Sequence, residues 1–238
     1  MEDKPPISEH ADEATPQERK QIRDLKLALK DFEPMVKDPK WLVNGRVISN
    51  FSLRPREAWA NWLLCAVISK SQNRDMTFLE AGQDEGDGFL LDRNTGEYIV
   101  TEHVCALDAP GRKRPLPKGE ERVILEIEKK IARGKDYAKN KTLVVFFDGA
   151  GIYYRKNIRE AIRDKHHFDS IYAVGLIKGD SLEYRYSVTE FGYHDSITHM
   201  VVINNDFTDW KVSELKDMHK VRISDGAVLS SWVQEFPL

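Results

Sequence analysis

The sequence predicts an α/β domain, a mixed β-sheet core flanked by helices. Three observations carry the prediction. Helical and strand patterns alternate along the chain in the order helix, strands, helix, strand, helix, strand. Leu143-Val144-Val145-Phe146-Phe147 is a continuous apolar run, as expected of a strand covered on both faces. The stretch from Gly86 to Val104 reads as a β-hairpin: two apolar runs flank the polar turn Arg93-Asn94-Thr95-Gly96, and the second run is rich in β-branched and aromatic residues.

Taken in order, residues 1–14 are acidic and Pro-containing and read as a disordered tail. Residues 15–50 read as an N-terminal helix and connector. The helix is expected over Gln17–Phe32, where Ile22, Leu25, Leu29 and Phe32 recur at helical spacing. That narrow stripe has two readings: docking on the parent domain, or contact with a protein partner or a second copy. Pro34 to Gly45 reads as the connector, with a short strand near Arg46 to Phe51. Residues 51–238 read as a single α/β domain.

Within that domain, Pro55 opens a helix expected to end near Ser69, with Trp59, Trp62, Leu63 and Ala66 on its apolar face. Glu57 and Asn61 lie one turn apart beside that face. Met76 to Glu80 is a strand candidate. After the hairpin, Gly111-Arg112-Lys113-Arg114-Pro115 is basic and loop-like, so Arg112, Lys113 and Arg114 are candidates for contact with a phosphate backbone. A helix over Glu120–Arg133 buries Val123, Ile124, Ile127 and Ile131; Lys130 borders this stripe and Lys129 points away from it. Gly134 is placed to end it. Asp148 to Gly151 is a turn, Asn157 to Lys165 a helix, and Ile171–Ile177, Leu182–Val188 and Met200–Ile203 are strands. A mixed segment with Trp210 and Trp232 ends the chain.

Composition bounds the function. With 238 residues, 41% hydrophobic and 32% charged, the chain is expected to be a soluble globular protein with a core to bury. No apolar run approaches the roughly 20 residues of a membrane span. The polar start, Met1-Glu2-Asp3-Lys4, is unlike a secretory signal. The two cysteines, Cys65 and Cys105, both lie in apolar runs, which suits small core residues in a reducing, cytoplasmic compartment. A net charge of −3 excludes recruitment of nucleic acid by the overall field, so any such contact needs a local basic patch.

Two acids stand in the hairpin: Asp87 at the mouth of the first strand and Glu102 near the end of the second. Pairing the strands brings both ends to one side of the ladder. An acid in so apolar a strand needs a partner, and a divalent cation shared with Asp87 is one solution.

Asp87-Gly88, a hairpin, Glu102, the Lys-bearing helix Glu120–Arg133, Tyr137 and the buried strand Leu143–Phe147 together resemble the nuclease superfamily named for its PD-(D/E)xK motif. The resemblance covers about Arg54 to Ile177. It implies a restriction-endonuclease-like fold, Mg²⁺ held by Asp87 and Glu102 with Glu57 as a third acid, and cleavage of DNA or RNA. The family's Lys belongs two residues after the second acid, where this chain has Val104; Gly86 stands where the family has Pro. Lys130 is the candidate to supply that charge, which makes Asp87, Glu102 and Lys130 the expected catalytic set. His103 alternates to the opposite strand face, as a hydrogen-bonded structural residue or as a ligand or base. The other function class is a non-catalytic binding or adaptor module on a degenerate nuclease-like fold.

Overall fold

A computed structural model shows the architecture. The structure describes residues 24–38, 55–79, 87–106, 117, 119–147, 151–216 and 220–223. The tail 1–14, the strand near Arg46 to Phe51, the Arg112–Arg114 loop and Trp232 lie outside these residues.

Helix α1, Leu25–Lys37, starts where Asp24 accepts hydrogen bonds from the backbone N–H groups of Lys26 and Leu27 at 2.8 and 3.2 Å. Asp24→Ala is expected to cost about 1 kcal/mol, read as a small drop in the urea midpoint. The connector expected at Pro34 begins later, because α1 continues through Pro34 to Lys37. Met35 and Val36 extend the apolar stripe past the proline and are buried, and their burial outweighs the one missing N–H. The described part of the stripe docks on the parent domain: Phe32 packs on Trp59 at 5.1 Å, and the Trp62 indole donates to the Leu25 carbonyl at 2.8 Å.

Helix α2, Pro55–Gln72, is buried on all sides from Ala58 to Ile68, rather than along one face. Trp59 and Trp62 stack with 5.1 Å between centroids, and Trp210 meets Trp62 edge-on.

The sheet follows. Strands β1 (Met76–Leu79), β2 (Gly88–Asp92) and β3 (Tyr98–Cys105) form an antiparallel meander. The β2–β3 turn closes with Gly96 at φ 74°, in the left-handed region that glycine allows. Helices α3 (Glu120–Ile131) and α4 (Lys135–Ala138) then cross over to β4 (Lys141–Phe146), which pairs parallel to β3. Gly134, also at positive φ, ends this crossover helix. Strand β5 (Gly151–Tyr154) starts where a turn was expected, and α5 spans Arg155–Ile162. Strand β6 (Ser170–Gly179) pairs parallel to β4, and β7 (Glu183–Phe191), β8 (Ser196–Asn204) and β9 (Trp210–Glu214) continue antiparallel. The result is an eight-stranded mixed sheet in the order β1-β2-β3-β4-β6-β7-β8-β9. Strand β10 (Lys220–Ile223) pairs with β5 in a separate two-stranded sheet.

Each face of the main sheet has its own core. Val144, Phe146, Tyr172 and Val174 pack with α1 and α2. Leu143, Val145, Phe147, Ile171 and Ala173 pack with α3, α4 and α5. This alternation along β4 is why its sequence is apolar at every position. Cys65 is fully buried, whereas Cys105 is half-buried at the margin of the core. Among the described residues, no helix is long and apolar enough to cross a membrane.

Candidate active site at the end of the β2–β3 ladder

Gly88 faces Thr101 across the β2–β3 ladder, so Asp87, one residue before β2, comes to the ladder end beside Glu102. The Asp87 N–H donates to the Thr101 carbonyl at 2.8 Å. Its Oδ2 accepts the His103 backbone N–H at 2.7 Å, which fixes the carboxylate against β3.

Glu102 points to the α3 layer. Lys130 Nζ, from the last turn of α3, donates to Glu102 Oε1 at 2.5 Å, the contact that its position beside the apolar stripe predicts. Arg133 and Lys141 stand 3.9 Å from the same carboxylate, beyond hydrogen-bond reach. Tyr137, on α4, joins the group. Its hydroxyl accepts from Lys130 Nζ at 3.1 Å and from Arg133 NH1 at 2.8 Å. Its ring lies 5.7, 4.0 and 4.7 Å from the charged groups of Lys130, Arg133 and Lys141. Burial lowers the Lys130 pKa, but the bonds to Glu102 and Tyr137 outweigh it and hold the ammonium above its ordinary value. Burial and the neighbouring Glu102 raise the Tyr137 phenol, which stays protonated.

His103 points to the opposite layer, under α2. Burial pushes its imidazole down to about 3, with Lys130 and Arg56 adding to the effect and Glu102 opposing it. The ring is therefore neutral at pH 7. The hydrogen-bonded histidine expected from the sequence is not what forms: among the described residues neither ring nitrogen has a hydrogen-bond partner, and Asp87 Oδ2 lies 3.9 Å from Nδ1. Asn61 is fully buried on the same side. A Cβ at Gly88 would stand 2.5 Å from Asn61 Nδ2, so a side chain there would have to displace the buried Asn61 amide.

Glu57 is half-buried in the first turn of α2, and α2 packs on the face of the sheet opposite α3. Among the described residues, no group of three or more His, Cys, Asp or Glu side chains gathers as a metal site. A Mg²⁺ site needs fewer, because that ion is commonly held by one or two carboxylates plus waters and substrate phosphate. Asp87 and Glu102 are oxygen donors of the kind such an ion takes, and they stand opposite one another at the ladder end, Asp87 bonded to the His103 N–H and Glu102 to Lys130.

Sequence reasoning missed Arg133 and Lys141. The sequence held only a weak hint, the cations Lys129, Lys130, Arg133 and Lys135 leading to Tyr137, which by themselves read as a solvated helix end. Compared with known proteins, the chain matches no family model, no curated protein and no solved structure.

Proposed function

We propose that this chain has a restriction-endonuclease-like core and hydrolyses phosphodiester bonds of a nucleic acid, with Mg²⁺ at Asp87 and Glu102 and Lys130 as the cationic partner. The order of elements supports it: helix α2, the antiparallel β1–β3 meander, the crossover helix α3, and β4 parallel to β3. The observation that carries it is the 2.5 Å contact from Lys130 to Glu102. It brings an ammonium to the second acid from α3, while the strand position where the family has its lysine is Val104.

Bound there, the metal would supply a water of lowered pKa and a counter-charge for the phosphate. The chain's own residues prepare the site. The His103 N–H orients Asp87, Tyr137 holds Lys130 against Glu102, and Lys130 sets a positive charge where negative charge grows on a reacting phosphate.

The reading is tested with single- and double-stranded DNA and RNA in Mg²⁺ or Mn²⁺. Wild type is expected to cleave one of them. Lys130→Met is expected to lose on the order of 10²–10³ in rate, as removal of one charge-stabilising donor does, and Asp87→Asn is expected to lose the cleavage that added metal supports. Binding without cleavage in either metal would leave the second reading, a non-catalytic binding module. That reading is favoured by the excess of cations around Glu102, which attracts an anion more readily than a dication.

A further inference from the structure

We propose that Lys130, Arg133 and Lys141, gathered on Tyr137, form a subsite for a terminal phosphate, the monoester at the end of a nucleic-acid strand. The proposal needs no bound metal; it shares Lys130 with the cleavage reading and adds Arg133 and Lys141, which that reading does not use.

Charge is the first ground. Three cations converge on one carboxylate, Glu102, which leaves an excess of two positive charges. Among the described residues, no other carboxylate lies within ion-pair distance of any of the three, and the nearby acid Glu126 is held by Lys129 at 2.5 Å. A phosphate monoester carries about −1.5 to −2 at pH 7, whereas a diester carries one negative charge.

Donor geometry is the second ground. Lys130 is engaged with Glu102 and Tyr137. The Arg133 guanidinium spends NH1 on Tyr137, and the Lys141 ammonium makes no hydrogen bond among the described residues. A guanidinium fork and a free ammonium beside a third cation offer more donors than the two unesterified oxygens of a diester can take, and a terminal phosphate presents three. Tyr137 helps Glu102 keep the three cations together, since its ring face attracts all of them and its hydroxyl accepts from Lys130 and Arg133.

Access is the third. The Arg133 side chain is 56% exposed and that of Lys141 21%, so the cage opens to solvent. Glu102, beneath it, is buried.

The test uses the full chain in EDTA. Inorganic phosphate is expected to raise the melting temperature above that in chloride of equal ionic strength. A short single strand bearing a 5′- or a 3′-phosphate is expected to bind more tightly than its hydroxyl-ended counterpart. The paired substitution Arg133→Gln with Lys141→Gln leaves the Lys130–Glu102 contact in place. It is expected to abolish both effects and to lower the slope of log K against log salt by about 0.7 per cation removed. The salt slope separates this from a structural role, since a cluster that only braces α3 against β4 would not change it. Should the paired variant be unfolded, Lys141→Gln alone, with a loss of about half that slope change expected, replaces it. No phosphate effect beyond chloride, or equal binding of phosphate- and hydroxyl-ended strands, overturns the proposal. Cleavage without terminal-phosphate preference refutes the subsite alone; the preference without cleavage refutes the nuclease reading alone.

Discussion

Glu102→Gln is expected to destabilise the metal-free protein by roughly 3–5 kcal/mol, the cost of removing one partner of a buried ion pair. The Glu102 side chain is 9% exposed and that of Lys130 15%, and Arg133 and Lys141 add positive charge 3.9 Å away. Gln keeps the shape but leaves these cations uncompensated. Lys130→Met combined with Glu102→Gln is expected to recover much of the loss, since apolar replacement of a buried pair is often neutral or stabilising. Urea unfolding in EDTA checks both. Lys130 has a folded pKa raised above its unfolded value of 10.5. Its contribution is therefore fully present at neutral pH and fades only as pH rises through the folded value. A Glu102→Gln protein as stable as wild type, or more so, would mean that repulsion with Asp87 dominates at Glu102. Added Mn²⁺ gives the complementary reading. If Asp87 and Glu102 hold it, wild type gains about 2.7 kcal/mol at a hundred times Kd, and Glu102→Gln loses most of that gain.

Acid is expected to weaken the metal-free protein through His103. Its folded pKa, about 3, lies well below the ordinary 6.5 because the ring is buried. Between those values the unfolded chain binds a proton that the folded chain does not, so stability falls as pH falls, beginning near 6.5. The slope approaches about 1.4 kcal/mol per pH unit below 6.5, so the loss between pH 6.5 and 4.5 is about 2 kcal/mol. His103→Phe removes the titrating ring while filling a similar space. Urea unfolding of both proteins across that range is expected to show a flatter profile for the variant. Parallel profiles would mean that His103 is protonated in the fold, with Asp87, 3.9 Å from Nδ1, as its counter-ion.

The hairpin was legible because Asn94-Thr95-Gly96 and the flanking apolar runs set its pairing, and the pairing alone puts Asp87 beside Glu102. Lys130 was legible because helical periodicity places it at the edge of the stripe that packs on β3. The cage around Tyr137 was not, since its members come from α3, the turn after it, α4 and β4, and only the crossover brings them together. Pro34 misled because a local rule, proline as a helix breaker, met the burial of Met35 and Val36 beyond it. Asn61 read as a flank residue because the helical wheel showed one apolar face, whereas α1 covers another side of α2. The extent of β7, β8 and β9 was under-read because strand ends depend on the neighbouring strand more than on their own residues.

Among the described residues, the aromatic side chains differ between the two sides of the sheet. Trp59, Trp62 and Trp210 all belong to the α1–α2 side, with Trp59 and Trp62 face to face and Trp210 edge-on. The cage around Glu102 carries a tyrosine instead. The near-ultraviolet circular dichroism of the stacked Trp59–Trp62 pair therefore reports on the α1–α2 layer. A ligand arriving at Tyr137 perturbs tyrosine absorbance first. Following both signals during denaturation shows whether the two layers come apart together or in sequence.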